Sequence, residues 1–208
     1  MIVPRPRFLK LKAAKQAAIL DAARTEFSAH GYRSSSQNRI IAAAGVSKGA
    51  MYYYFDDKED LYITVIRREF SGLGEVMTVG QIDTAEQFWS GLEDMFMRST
   101  AYFARSPETI ALGRSLARSV GTYGPPPGFQ AMIDEIWEVT EKLVLRGQEV
   151  GAVRRDLPTS LIVGVMMKVG EAMDYWFAEH WAELDPVELP ALNHKLTDIF
   201  KRVAEPEC

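Results

Sequence analysis

The stretch from Ser34 to Leu61 constrains the fold more than any other part of the chain. Its pattern of apolar residues, glycine and serine predicts a helix over residues 37–44, a second over 48–54 and a third that starts at residues 56–59. Gly45 fits the end of the first helix, because glycine adopts the left-handed conformation there at little cost. Ser47 fits the cap of the second helix, since its hydroxyl accepts unpaired backbone N–H groups. Two short helices around such a turn indicate a helix-turn-helix.

The side chains predicted on the outside of the second helix suit DNA. Lys48 lies at its N-terminal end, where it can meet a phosphate, and Gly49 allows close approach of a backbone. The three tyrosines at 52–54 span about 200° of the helix circumference at ~100° per residue, so at least one hydroxyl faces outward. Arg39 on the first helix is predicted to bind a guanine through two hydrogen bonds. The alternative is a three-helix core fragment with solvated charges.

The segment IAAAGVSKGAMYYYF, followed by DDKEDLY, resembles the DNA-binding domain of TetR-type transcriptional regulators over residues 13–62. The resemblance implies an all-helical homodimeric repressor whose C-terminal domain binds a small inducer. It also implies DNA contacts at Arg39, Lys48, Gly49, Tyr53 and Lys58. The chain departs from the family pattern at residues 38 and 40, which leaves the register of the first helix open. The complete predicted DNA-facing set is Gln37, Asn38, Arg39, Ser47, Lys48, Gly49, Tyr52, Tyr53 and Lys58.

Charge is distributed unevenly along the chain. Residues 1–58 contain ten lysines and arginines and four acids, a net charge of +6, although the whole chain carries −4. A basic module on an acidic body is expected when only one face meets phosphate. We therefore predict a helix-turn-helix DNA-binding domain at 1–58 and a ligand-binding and dimerisation domain at 59–208.

Helical periodicity continues through the remainder of the chain. It predicts an all-α protein of about nine helices, with no convincing strand. The prolines at 4 and 6 predict that residues 1–8 are disordered, as a solvated tail or as an arm whose Arg5 and Arg7 reach DNA. The segment GTYGPPPG at 121–128 is predicted to be a loop, because its glycines and prolines oppose helix formation.

The second domain is rich in aromatic and methionine side chains at helical spacing. These residues favour a plain core or the walls of a pocket for a small, largely apolar or aromatic inducer. Under the second interpretation the predicted walls are Trp89, Phe96, Trp137 and Trp176. Glu171 and Asp174 lie beside the apolar stripe and either face solvent or select a cationic ligand, since a buried carboxylate needs a partner.

The helix predicted over residues 159–181 is apolar on more than one face. This distribution indicates a partner on its outer side, and we expect a homodimer through this helix and the last one, 187–203. A position such as Val163 is predicted to lie at the subunit interface.

Other protein classes have less support. The three histidines are scattered, and no nucleophile motif, phosphate-binding loop or metal-ligand spacing is found, so we predict no enzyme, no catalytic residues, no metal and no cofactor. The single Cys208, the lack of a signal-peptide pattern and the lack of an apolar run of ~18 residues predict a cytoplasmic protein with no membrane partner. The alternative is a helical interaction module or enzyme with no role on DNA.

Overall fold

The computed structural model describes residues 4–124 and 127–206, apart from the side chains of 119, 121–123 and 127. Within these residues all regular structure is helical, which confirms the all-α prediction. There are more helices than the nine predicted, because short turns of helix precede and follow the first domain. The α-helices are α1 Pro6–Leu9, α2 Ala13–Ser34, α3 Gln37–Ala43, α4 Lys48–Tyr54, α5 Lys58–Glu69, α6 Leu73–Val76, α7 Ala85–Ala104, α8 Pro107–Tyr123, α9 Gln130–Glu149, α10 Thr159–His180 and α11 Leu189–Ala204; Pro127–Phe129 and Trp181–Glu183 are 3-10 helices.

Packing divides the chain into two units. The first unit comprises the chain up to Ser71 together with Glu108–Met132. The second comprises Gly72–Pro107 and the chain from Ile133 onward. The boundary predicted between residues 58 and 59 is a division by function and stays a prediction. Packing places all of α5 in the first unit, because Leu61, Val65 and Ile66 are fully buried in its core.

The core of the first unit is aromatic. Phe27 and Tyr62 meet edge to face with their ring centroids 4.7 Å apart, and Phe129 lies 5.8 Å from Tyr62. The Ser115 hydroxyl donates to the Phe27 carbonyl oxygen at 2.8 Å, so α8 also packs into this unit. Helix α8 and Phe129 therefore belong to the same core as the helix-turn-helix.

The expectation of disorder is wrong for residues 4–8, while residues 1–3 lie outside the described residues. Phe8 is 1% exposed and packs against Phe55, with the ring centroids 4.8 Å apart. Pro6 is the first residue of α1, where a missing N–H has no cost. Burial of the Phe8 ring therefore orders this segment despite its two prolines and its positive charge.

The helix ends of the first unit follow the predicted chemistry. Gly45 has φ of 62° after α3, in the left-handed region. The Ser36 hydroxyl accepts the Arg39 N–H at the start of α3, and the Ser47 hydroxyl accepts the Ala50 N–H at 3.1 Å at the start of α4. These caps confirm the positions of both helices of the helix-turn-helix.

The second unit is built around the buried Phe88 of α7. A Cβ added at Gly147 of α9 would lie 2.7 Å from the Phe88 ring, so only glycine permits this close approach. In α10, Val163 is fully buried in this core, whereas Leu161 and Val165 are 51% and 37% exposed. The expectation that Val163 lies at a subunit interface is therefore wrong, because the helix turns that side chain inward.

The segment predicted to be a loop at 121–128 begins later than expected. Helix α8 continues to Tyr123, and Gly124, with φ of 76°, follows it. Residues 125 and 126 lie outside the described residues. The prediction is wrong for 121–123, because one glycine at a helix end costs only about 1 kcal/mol relative to alanine.

Among the described helices, none is long and apolar enough to cross a membrane.

Candidate nucleic-acid interface

The register of α3 decides which of its residues face outward. Ile40 is fully buried, and Ile41 is only partly buried. The fully inward-facing residue is therefore Ile40, while Ile41 packs against the same core and stays partly exposed. Asn38 and Arg39 are exposed, and Gln37 is half-buried.

The exposed face of α4 carries the polar and aromatic residues predicted for it. Lys48 and Gly49 are exposed, and a Cβ at Gly49 would meet nothing within 4 Å. Tyr52 and Tyr53 expose 43% and 49% of their surface, while Met51 on the opposite side is fully buried. The helix therefore presents one cation, one open backbone position and two phenol rings on one side.

Gln37 links the two helices. The Tyr52 hydroxyl donates to Gln37 Oε1 at 3.2 Å, which joins the start of α3 to the outer face of α4. The predicted residues Gln37 and Tyr52 are thus brought together. Ser47, by contrast, is occupied as the cap of α4.

The guanidinium of Arg39 is already engaged within the protein. Its Nε lies 3.0 Å from both carboxylate oxygens of Glu26 in α2, and its Nη2 lies 2.5 Å from Oε1. Hydrogen bonds from Arg39 lower the pKa of Glu26, although burial opposes the shift. The contact of Arg39 with a guanine stays a prediction. In the structure its guanidinium forms an ion pair with Glu26.

Lys58 also has intramolecular partners. Its Nζ donates to the carbonyl oxygens of Arg33 and Ser35 at 3.2 and 3.4 Å, and it lies 4.8 Å from the centre of the Tyr32 ring. Burial lowers the pKa of this ammonium. Since an ammonium has three N–H donors, two bonds to carbonyl oxygens leave one for a phosphate.

The segment before α2 contacts the C-terminal end of α4. The Arg5 N–H donates to the Tyr54 carbonyl oxygen at 3.1 Å, and Arg5 Nη1 donates to the Tyr52 carbonyl oxygen at 3.0 Å. The Arg5 guanidinium also forms an ion pair with Asp56. Arg7 lies over the Tyr53 ring, 4.3 Å from its centre. Arg5 therefore supports the end of α4, and Arg7 adds a positive charge beside its exposed face.

Sequence reasoning missed Glu26 and Phe8. Glu26 lies three residues after Ala23 and seven after Ile19, both fully buried on the apolar face of α2. An acid at this spacing is a signal for a buried carboxylate that needs a partner. Phe8 carried no periodic signal, since only four residues form its helix.

The four residues predicted as pocket walls lie in the second unit among different neighbours. Trp89 is 6% exposed and meets Phe88 edge to face, and Phe96 stacks on Phe200 at 5.3 Å. Trp137 and Trp176 are exposed to 36% and 42%. Trp137 approaches the backbone of Gly164, and Trp176 stacks on His180 at 4.8 Å. In the described structure two members belong to the core and two to the surface.

An open groove of about 440 Å³ follows the outer face of α10 instead. Its lining includes Leu161, Gly164, Val165 and Val169, which recur at helical spacing. Further along α10, Glu171 pairs with Lys168, and Asp174 is exposed as well.

Within residues 4–124 and 127–206, no group of three or more histidine, cysteine or acidic side chains is placed to hold a metal ion. Two of the three histidines, His180 and His194, have other contacts. The His180 ring lies against Trp176, and His194 Nδ1 lies 2.9 Å from a Glu93 carboxylate oxygen.

The capped pair α3 and α4, with its basic and aromatic outer face, defines a helix-turn-helix domain of the DNA-binding class. The family model described as bacterial regulatory proteins, tetR family, matches residues 19–65. The resemblance of this segment to TetR-type regulators is thereby confirmed.

Curated relatives resemble the first unit most closely. The transcriptional repressor AcnR of Corynebacterium glutamicum is 37% identical over 60 residues, which are 29% of this chain and 32% of that protein. The regulator RutR of Escherichia coli is 46% identical over 56 residues, which are 27% of this chain and 26% of RutR. These two alignments thus span between a quarter and a third of the length of the relatives. AcnR of Corynebacterium diphtheriae is 27% identical over 148 residues, covering 69% of this chain and 70% of that protein.

Solved structures share the fold over almost the whole chain. A TetR family transcriptional regulator from Chloroflexus aurantiacus aligns with a TM-score of 0.70 at 20% identity, covering 99% of this chain and all of the other. SmeT, the repressor of a Stenotrophomonas maltophilia multidrug efflux pump, aligns with a TM-score of 0.67 at 18% identity, covering 96% and 93%. At these identities the likeness concerns the fold.

Proposed function

We propose that this protein is a ligand-responsive transcriptional repressor that binds a pseudo-palindromic operator as a homodimer in the bacterial cytoplasm. A small, largely apolar or aromatic inducer releases it from DNA. The observation that carries the proposal is the outer face of α4, where Lys48, Tyr52 and Tyr53 are exposed beside Gly49. Lysines and tyrosine hydroxyls are common phosphate ligands, and the backbone at a glycine can approach DNA closely.

The dimer is supported by the surface of α10. A single helix-turn-helix reads one half-site, so a second copy is needed to read a pseudo-palindrome. The apolar groove at Leu161, Gly164 and Val165 lies on a helix face that a second subunit would cover. In a two-fold dimer the same face of the partner supplies the cover.

The inducer is supported by the composition of the second unit. We infer that it enters among α7, α9 and α10, where methionine and aromatic side chains are frequent. Trp137 and Trp176 are exposed and could contact an inducer without moving. Trp89 and Phe96 would have to leave their contacts with Phe88 and Phe200 to line a site. AcnR, RutR and SmeT are named as regulators or repressors. These names do not support the alternative functions of an enzyme or a pure interaction module.

Selection of bound duplexes from a random-sequence library tests DNA recognition and identifies the operator sequence in the same experiment. We expect the recovered sequences to converge on an inverted repeat. Lys48→Ala should weaken binding to that duplex, and Lys142→Ala, an exposed lysine on α9 of the second unit, is the matched control. Recovery of unrelated sequences, with no preference over a scrambled duplex at low salt, would refute the repressor.

A fluorescence screen of small apolar and aromatic compounds tests the inducer. A compound that quenches the tryptophans should release the selected duplex, and the duplex should weaken that compound by the same factor. Coupling of about 1–3 kcal/mol is usual for such pairs of sites. A compound that binds equally well with and without DNA would contradict a regulatory role for its site.

A further inference from the structure

The connection between α2 and α3 is held by opposite charges from two helices. Lys58 of α5 donates to the carbonyl oxygens of Arg33 and Ser35, and Glu26 of α2 accepts the Ser36 N–H at 2.7 Å. The cation therefore meets backbone acceptors, and the anion meets a backbone donor. Such charge-assisted bonds are stronger than neutral ones.

Glu26 has a second and more specific partner in Arg39. Both carboxylate oxygens lie 3.0 Å from Arg39 Nε, and the Arg39 Nη2 also donates to the Ser34 carbonyl oxygen at 3.4 Å. Glu26 is only 8% exposed, whereas the Arg39 side chain is 55% exposed. A buried carboxylate thus holds a guanidinium that belongs to the first turn of α3.

Helix α3 is tied on two different flanks. Residues 37 and 39 point about 200° apart at ~100° per residue. Gln37 is bonded to Tyr52 of α4, and Arg39 is bonded to Glu26 of α2. Asn38, which lies between them in sequence, is exposed. These two bonds oppose rotation of α3 about its own axis, as does the burial of Ile40.

We propose that Glu26 is a positioning residue for DNA recognition, which fixes the rotation of α3 through Arg39 and so aims Asn38 at a base edge. Arg39 then acts on DNA through Glu26 and α3 rather than by direct contact. An asparagine amide suits adenine, to which it can form two hydrogen bonds. The proposal rests on the proposed function and assigns a role to a residue on the far side of α3 from α4.

The substitution Glu26→Gln tests the proposal. The amide keeps the shape of the side chain and one acceptor for the Ser36 N–H, but it removes the charge that holds Arg39. We expect about tenfold weaker binding to the selected duplex, within the range for one lost base contact. Binding to a scrambled duplex of equal length should not weaken, because the substitution removes a negative charge.

Two variants separate positioning from charge and stability. Asp21→Asn removes the same charge from the same helix, but Asp21 pairs with Arg68 of α5 and not with α3, so the ratio of specific to scrambled binding should stay unchanged. Arg39→Gln should lower that ratio as Glu26→Gln does, and the double variant should lower it no further. Arg39→Gln leaves the buried Glu26 charge without its guanidinium, so the ratio is measured for both variants at an equal folded fraction, determined by circular dichroism.

Amide hydrogen exchange provides a readout that needs no DNA. Glu26→Gln should speed exchange at residues 39–43 of α3, and Asp21→Asn should not. An unchanged binding ratio for Glu26→Gln, or a fall for Arg39→Gln alone, would overturn the positioning role. A wild-type protein with no sequence preference would instead refute the repressor, and unchanged exchange in α3 would then refute the positioning role separately.

Discussion

The predicted DNA-facing side of the first unit and the outer face of α10 in the second differ in how their side chains are held. On the first, Tyr52 is bonded to Gln37, and Lys58 is bonded to the α2–α3 connection. On the second, Leu161 and Val165 stand exposed along an open groove. Polar contacts can be completed within one chain and leave donors for DNA, whereas exposed apolar surface is stabilised only when another surface covers it.

The energetic consequence is different for the two surfaces. Side chains held by intramolecular bonds lose little rotamer entropy on binding, which is one source of affinity. Burial of a leucine or valine side chain contributes about 1.5–3 kcal/mol. The first surface is thus prepared for a polar partner, and the second gains free energy from an apolar one.

The largest effect is expected on α10, where Val163 faces the core and Leu161 and Val165 face outward. Val163→Glu places a carboxylate in the core and should cost more than about 4 kcal/mol of unfolding free energy. We expect this variant to unfold the second unit, which circular dichroism and denaturant titration would detect. A folded, soluble Val163→Glu protein would show that the side chain is not in the core.

The next largest effect is expected at the start of the first unit. Phe8→Ala should destabilise the first unit by about 3–5 kcal/mol, because a fully buried ring is lost. Its neighbour Leu9 is 60% exposed in the same helix, so Leu9→Ala should change stability by no more than about 0.5 kcal/mol. Equal denaturation midpoints for the two variants would mean that α1 does not anchor the end of α4.

An exposed position on α10 tests the dimer. Leu161→Glu should leave the subunit folded but weaken the dimer about 30-fold or more, since each two-fold interface contains the change twice and loses about 2 kcal/mol or more. Sedimentation at micromolar concentration measures the shift to monomer. Val139→Glu is the control, because Val139 is 61% exposed and lies on α9, outside the two helices predicted to form the interface. A wild-type monomer, or equal behaviour of both variants, would contradict the interface.

Local signals in the sequence were sufficient for much of the first unit. Serine caps and Gly45 determine where α3 and α4 begin and end, and these features lie within a few residues of what they control. Helical geometry predicts that at least one of the three tyrosines at 52–54 faces outward, and the structure exposes Tyr52 and Tyr53. The DNA contacts of the nine predicted residues remain predictions.

Contacts between distant residues could not be obtained in the same way. The partner of Arg39 is Glu26, thirteen residues earlier, and the ring against Phe55 is Phe8. Apolar spacing marked Trp89 and Trp137 alike, although one is 6% exposed and the other 36%. Periodicity tells which side chains are apolar, but the neighbouring helices decide which of them become buried.

A smaller effect should separate two lysines on the DNA-facing side. Lys48→Ala should weaken binding to all duplexes and reduce the slope of log affinity against log salt by about one, as expected for one phosphate contact. It should leave stability unchanged, since Lys48 is exposed. Lys58→Ala should also lower the unfolding free energy by about 1–3 kcal/mol, because two carbonyl oxygens lose a charged donor. Equal stability of both variants would mean that the Lys58 bonds contribute little.

The smallest expected effect is the pH dependence of the Glu26 ion pair. Its pKa in the folded protein is lowered from an ordinary value of 4.5, chiefly by hydrogen bonds from Arg39. The unfolded chain therefore binds the proton more readily, so the contribution to stability is present above pH 4.5 and is lost as pH falls through the folded pKa. Unfolding free energies measured from pH 6 to 3 should fall less steeply for Glu26→Gln than for the wild type. Because Arg39 is largely exposed, solvent screens the pair and raised salt should reduce the difference. Parallel curves for the two proteins would show that the carboxylate titrates alike in both states, and that Arg39 does not hold it.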